Sequence, residues 1–514
     1  MDHRTEIWLK GTLCCLGLLA FLWRTRPACP LPPGKAGKLL GGAALAAVLA
    51  YYNFGTFHGR GYVHHWETFH YVLGSRYFPE LRYDGLYAAS FAAEAEAFPG
   101  KALPATVRDL RTNDVVPSRT IEWHMGEVKR RFTPERWRQF VRDNSHFVVT
   151  SDPSYLARIR LDHGYNPTPA WTFVARLFDG WLPVDETTLR LWASLDLVLL
   201  ATAFVFVFRS FGSWAGTVSL LVFGLGYPWR FDWVGGAFLR QDWLAASVIG
   251  LCMLKRERWA AAGALFGYAA SVRLFPAAFL FGPAVLGLRA VLRKEETAWL
   301  RKLAASFVLS VALWVAAGSF TGRGVAAWGE FGRNFQKHRQ TWLTNNVGLK
   351  NLFLYGPETF DRRLVDWSQP EPWLGWQKKM DAMEEAKKPL LAAASLAFLG
   401  MVAVAAWRAG RVEAALLGIP AFFAAGVLTC YYWVVLVALV LTGRRWLIAA
   451  VMAISILLFA ADLLTPSFEA IYGLASWLLA SLFVWWSVLV ARGVTETPSS
   501  GSGYSHGKRT KRGR

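Results

Sequence analysis

Residues 64–90 read "HHWETFHYVLGSRYFPELRYDGLYAAS" and stand just beyond an apolar run, "LLGGAALAAVLAYYNFG" (39–55). Histidines, aromatics, arginines and carboxylates crowd a stretch that opens about ten residues past a segment suited to crossing a bilayer. Polar chemistry at the mouth of a membrane span decides the reading of the fold. The apolar run must be one of many, and the polar stretch must belong to what lies outside the bilayer.

Composition agrees. The 514 residues are 54% hydrophobic and 18% charged, with a mean hydropathy of +0.26, whereas soluble domains carry about 25% charged residues. Twenty-six tryptophans and 35 phenylalanines suit a chain with many membrane–water boundaries, where amphipathic rings settle. Apolar stretches lie near 7–23, 38–55, 189–208, 213–230, 243–254, 258–272, 274–290, 303–319, 389–407, 412–428, 431–443, 446–463 and 472–491. The expectation is an all-α polytopic membrane protein of about thirteen spans, with Pro276 and Pro283 allowing a broken passage within 258–290. The first run lacks a small-residue cleavage site before "RTRPACP" and reads as a retained span.

The net charge of +20 is spread over short basic clusters between apolar runs, such as "KRERW", "WRAGR" and "GRRW". That is the positive-inside pattern and not a nucleic-acid surface. With those clusters inside, the chain divides into N-terminal spans (1–55), a first external loop (56–188), a helical bundle (189–319), a second external loop (320–388), C-terminal spans (389–491) and a basic, disordered cytoplasmic tail (492–514). The two loops are expected to form a mostly helical external cap, since "WETFHYVLGSRYF" (66–78) and "FTPERWRQFVRDN" (132–144) have helical spacing. The five cysteines show no CxxC and no even framework, and small core-like packing is their expected role.

A helix over 64–77 puts His64, Glu67 and His70 or Tyr71 on one face, three or four residues apart. His65 lies beside them, and Asp84 follows in a "YDGLY" turn with Arg76 and Arg82 near. A carboxylate here suits deprotonation of a hydroxyl, and a neighbouring cation suits a phosphate leaving group. The plainer reading is an interfacial helix whose polar face meets water. One face of one helix supplies too few ligands for a metal. Other polar residues fall on the same side: Tyr165, Asn166, Pro167 and Pro169 in 162–178; Asp232, Arg240 and Asp242 in "RFDWVGGAFLRQDW" (230–243); Arg273 in "AASVRLFPAA" (269–278); and Lys337, His338, Arg339, Asn345, Asn346 and Lys350 in 334–353. Cations and amides above a membrane cavity suit a lipid-linked phosphate.

These residues carry a resemblance. "ETFHYVLGSRYFPELRYDGLY" (67–87) is similar to the first external loop of GT-C type glycosyltransferases, with an acidic residue soon after a span and a second beyond it. "YNPTPAWTFVARLFDGWLPVDETTLRLW" (165–192) resembles their Tyr-x-Pro-Pro stretch. "RERWAAAGALFGYAASVRLFPAAFL" (256–280) is similar to their Ala-Gly…Gly…Lys-x-x-Pro segment, and "TNNVGLKNLF" (344–353) to their Asn-Gln-Ser-Leu segment. Arg273 stands where lysine is usual, and Val347-Gly348 replaces Gln-Ser. Bacterial mannosyltransferases that use polyprenyl-phosphate sugars are the most similar members.

The resemblance implies an integral, multi-pass protein of the bacterial inner membrane. It implies an inverting transfer of a mannose-like hexose from a polyprenyl-phosphate donor to a glycan, lipid or protein acceptor at the external face. Glu67 or Asp84 would be the base. Arg273 and Arg240 would bind the donor phosphate, and Asn345, Asn346 and Lys350 would line the donor or acceptor pocket. His65, Arg82, Tyr165 and Asp242 complete the candidate substrate-binding set. No cofactor is expected, a divalent metal is not favoured, and no nucleic-acid partner is implied. A flippase or transporter for a lipid-linked intermediate, and a polymerase, ligase or non-catalytic subunit of envelope assembly, are the alternatives.

Overall fold

Backbone polar groups in lipid must be satisfied within the segment that carries them, so apolar runs of this length are driven to coil. The computed structural model of the chain describes residues 2–26, 32–59, 61–339, 341–360 and 362–494, and is mostly helical with little sheet. Among the described residues, seven helices are long and apolar enough to cross a membrane. They are His3–Thr25, Glu186–Gly224, Phe275–Leu292, Ala298–Gly318, Leu374–Arg408, Arg445–Leu464 and Phe468–Ala491. Several turn large apolar side chains outward, among them Leu309 and Leu313 of Ala298–Gly318 and Leu396 and Val404 of Leu374–Arg408. Faces of that kind need lipid. The chain is a multi-pass integral membrane protein.

The other expected spans are mostly helical but fall on shorter or shared elements, so the count of thirteen is not confirmed. Segments 189–208 and 213–230 fall largely on one element, Glu186–Gly224, broken at Gly212 where φ is 87°. Segments 243–254 and 258–272 are helices of 14 residues, Asp242–Lys255 and Trp259–Val272. The first of these is buried almost throughout. Segment 431–443 is a 3₁₀ helix, Cys430–Thr442. Its steeper rise lets thirteen residues cover about 26 Å.

Small residues bring the bundle close. Gly263 and Gly267 of Trp259–Val272 lie against Ala298–Gly318 so tightly that a Cβ at Gly263 would sit 2.1 Å from the Leu303 carbonyl oxygen, and one at Gly267 2.6 Å from Ser310 Cβ. Helix association in lipid relies on such close approach.

Between the second and third apolar segments the chain builds a compact polar layer. It contains helices His65–Arg76, Leu86–Ala97, Pro134–Thr150 and Pro169–Asp179 and an antiparallel pair of strands, Thr106–Asp109 with Asp114–Pro117. A buried ionic node ties it together: Arg76 pairs with Asp143 at 3.2 Å, and the Tyr77 hydroxyl donates to Asp143 at 2.6 Å. The stretch 320–388 contributes the helix Ala326–Arg339 and the strand Asn346–Gly348, which pairs with Val427–Thr429. It then enters Leu374–Arg408, whose first turns lie within that stretch. Cys14, Cys252 and Cys430 are buried free thiols and Cys15 is exposed. Cys29 and the tail from 495 onward lie outside the described residues.

Candidate functional site

His64 starts the first cap helix, His65–Arg76, by accepting the Glu67 backbone N–H on Nδ1 (3.2 Å). Its own backbone N–H donates to the Gly236 carbonyl at 2.9 Å, which fixes this helix to the loop that carries Arg240. Glu67 therefore faces that loop. Arg240 Nε stands 2.9 Å from Glu67 Oε2. The pair is ionic without an aligned hydrogen bond, for neither atom has a hydrogen-bond partner. Arg240 Nη1 also donates to the Tyr71 hydroxyl, which donates to Asn166 Oδ1 at 3.2 Å. The guanidinium carbon lies 4.3 Å from the Tyr71 ring and 5.4 Å from the Tyr431 ring.

The backbone at Arg240 is held by a buried carboxylate. Asp196, in Glu186–Gly224, accepts the N–H groups of Arg240 and Gln241 at 3.0 Å each. These two donors precede the helix Asp242–Lys255 and would otherwise be orphaned. Asp242 opens that helix. Its oxygens accept the Trp243 N–H at 2.8 Å and the Tyr268 hydroxyl at 2.9 Å.

Arg273 arrives from the opposite direction. The helix Trp259–Val272 ends there because Pro276 follows and the chain turns into the 3₁₀ segment Phe275–Leu280. Arg273 is 8% exposed. Nη1 donates to the Val272 carbonyl at 3.0 Å, while Nε and Nη2 are buried without any partner among the described residues. Its guanidinium lies 5.8 Å from the Trp171 ring. Asp242 lies in the field of both arginines but makes no ion pair with Arg273.

The residues that follow Arg273 in the chain line an apolar groove of about 470 Å³, formed by Leu274, Phe275, Phe281, Leu399, Phe422 and Leu428 among others. Leu428 belongs to the strand Val427–Thr429, and Tyr431 on Arg240 follows it. One short segment thus serves both the groove and the charged cluster. Tyr432 joins them, 5.1 Å from Phe275 and 5.8 Å from Trp243.

Glu67, Arg240, Asp242 and Arg273 are therefore brought together, with Tyr71, Trp171 and Tyr431 as companions that the sequence did not single out for this role. Tyr165 lies in the wall behind, its ring 6.2 Å from Tyr71. Asp84 keeps other company: Arg131 grips it through Nη1 at 2.9 Å and Nη2 at 3.3 Å. Arg82 is in that second cluster as well. His65 Nε2 faces Glu186 Oε2 at 3.4 Å at the start of the long helix. Lys350 pairs with Glu384. Asn346 pairs with Thr429 across the strands, and the Asn345 carbonyl accepts the Cys430 N–H at 2.9 Å, one residue before Tyr431. Among the described residues no group of three His, Cys, Asp or Glu side chains is arranged to hold a metal ion.

Burial raises the Glu67 carboxyl above its ordinary value, and Arg240 pulls it back only in part. A carboxyl so placed is a better proton acceptor than a surface glutamate. Comparison with known proteins finds no matching family model, no matching curated protein and no matching solved structure.

Proposed function

We propose that the chain is a GT-C-like transferase of the bacterial plasma membrane that moves a mannose-like hexose from a polyprenyl-phosphate donor to an acceptor hydroxyl at the external face. In this reading the shorter apolar helices complete a bundle of about thirteen passages. The observation that carries it is the Arg273 guanidinium, buried and short of partners, on the residue that precedes Leu274 and Phe275 of an open apolar groove. A buried cation without an anion is costly. A ligand with one anionic group and a long apolar chain would satisfy both features at once.

The chemistry follows from the arrangement. The lipid phosphate lies against Arg273 and its chain lies along Leu274 and Phe275. The acceptor hydroxyl approaches Glu67, which takes the proton as the hydroxyl oxygen forms its bond to the anomeric carbon. The bond from that carbon to the phosphate oxygen breaks on the opposite side, and the electron pair leaves with the lipid phosphate. Arg273 meets the charge that grows there, and Arg240, paired with the base, lies in the field of Arg273. A single displacement inverts the anomeric centre.

The test is transfer by the purified protein in nanodiscs from a polyprenyl-phosphate hexose, comparing wild type with Glu67→Gln. One added hexose, lost by at least 10²-fold in the variant, supports the reading. A ladder of products marks a polymerase, lipid movement without product marks a flippase, and full activity of Glu67→Gln removes the proposed base.

A further inference from the structure

Arg82 lies in neither the charged cluster nor the groove. Its backbone takes φ 55° and ψ −138°, a region that side-chain-bearing residues rarely adopt and that marks sites where the surroundings enforce a geometry. Held this way, its side chain makes no hydrogen bond or ion pair with any described residue, and Nε is buried without a partner. The other arginines around it are paired: Arg131 with Asp84 at 2.9 Å and with Glu127 at 2.8 Å, and Arg323 with Glu330 at 2.7 Å. Arg82 feels both of those arginines as well as Glu330 and Asp84. Two carboxylates are taken up by Arg131, so of the three arginines Arg82 alone has no ion pair with a described residue.

Two further atoms at this place are short of partners, Arg323 Nε and Glu330 Oε2. Lys337, in the field of Asp84, donates only to the Leu110 carbonyl. The cluster draws on three separate parts of the chain: the 82–84 turn, the helix carrying Glu127 with Arg131 just beyond it, and the 323–330 stretch.

We propose that Arg82, flanked by Arg131 and Arg323, is a second anion site that recognises an acidic saccharide, one bearing a carboxylate or a phosphate. A planar guanidinium with open donors matches either group in a forked geometry. The site is walled off from the Glu67 cluster by rings. Tyr83 donates to the Pro167 carbonyl at 2.8 Å and stacks on Tyr165 at 5.9 Å, and Tyr165 neighbours Tyr71, which Arg240 holds. That Arg82 reads the acceptor rests on the transferase reading: the receiving hydroxyl would be at Glu67 and an acid group one or more sugar rings away at Arg82. The anion site itself does not depend on that reading.

The experiment is saturation-transfer NMR on the full-length protein in nanodiscs, without donor. The probes are trigalacturonate, glucose 6-phosphate and the neutral maltotriose. Wild type is expected to bind at least one acidic probe ten-fold or more tighter than maltotriose. Which acidic probe binds tells carboxylate from phosphate. Arg82→Gln should abolish that preference, Arg82→Lys should keep part of it, and Arg138→Gln, at an exposed surface arginine outside both clusters, should leave it within two-fold of wild type. Thermal melts report folding of each variant, and the Lys variant serves if Gln unfolds. Equal binding of acidic and neutral probes, or a preference that survives Arg82→Gln, overturns the proposal. A chain that shows the preference yet transfers no sugar keeps this site and loses the transferase reading.

Discussion

Arg240 holds the proposed base and the residue beside it at once: its Nε is 2.9 Å from Glu67 Oε2 and its Nη1 donates to the Tyr71 hydroxyl. Glu67 and Tyr71 are one helical turn apart, so a single guanidinium staples the first cap helix to the loop between Glu186–Gly224 and Asp242–Lys255.

Breaking a buried pair from one side leaves a charge uncompensated and costs about 3–5 kcal/mol. Arg240→Gln is therefore expected to destabilise by that order, and Glu67→Gln/Arg240→Gln to recover a large part of it. Thermal melts of the two single variants and the double variant measure the coupling. Additive losses would show that the two side chains do not act as a pair.

The raised Glu67 carboxyl gives a signed pH dependence. The base works deprotonated, so the transfer rate falls as pH drops through its pKa, and burial places that acid limb above the ordinary 4.5. Arg240 is the largest influence pulling the value down, so Arg240→Gln should move the limb further up. The pH profile of kcat/KM in both proteins checks this, and a limb that moves down would contradict it.

Gly236 has φ 67°, and a Cβ there would stand 1.8 Å from the Tyr62 carbonyl oxygen. Neither the dihedral nor the backbone neighbour can give way cheaply. Gly236→Ala is expected to destabilise by on the order of 2 kcal/mol or more and to displace Arg240 four residues on. Melting temperature and transfer rate should fall together.

Asp179 is buried beneath the cap helix and accepts the Ser75 hydroxyl. Desolvation pushes its carboxyl up to about 7, against the pull of that hydroxyl and of Arg76. The folded value lies above the unfolded one, so the stabilising contribution is present at low pH and is lost as pH rises through about 7. Asp179→Asn should gain on wild type between pH 6 and pH 8.5 by on the order of 1–2 kcal/mol. Melts at the two pH values decide it, and an equal difference at both would exclude an ionising Asp179.

Much of the cluster is legible in the sequence for one reason: a charge next to an apolar run has few places to go. Glu67, Arg240, Asp242 and Arg273 stand out on that ground. Tyr431 and Tyr432 do not, because aromatic rings are common throughout this chain and nothing local marks two of them as lining a cation. The pairing of Asp84 with Arg131 joins residues 47 apart, and the strand pairing that brings Asn345 to Cys430 spans a longer loop still. No periodicity reports such contacts. Helix existence is carried by hydropathy, whereas span count is not: Asp242–Lys255 and the 3₁₀ segment Cys430–Thr442 are short, apolar and buried, and hydropathy does not separate burial in protein from exposure to lipid.

Arg273 and the groove beside it carry the central claim, and lipid binding tests them most directly. Titrating the nanodisc-embedded protein with a polyprenyl phosphate and with the matching neutral polyprenol, in wild type and Arg273→Gln, separates the anion from the chain. The expected result is a preference of about 10²-fold or more for the phosphate that disappears in Arg273→Gln while polyprenol binding is unchanged. Equal binding of both lipids to wild type, or a preference that persists without Arg273, would contradict the account.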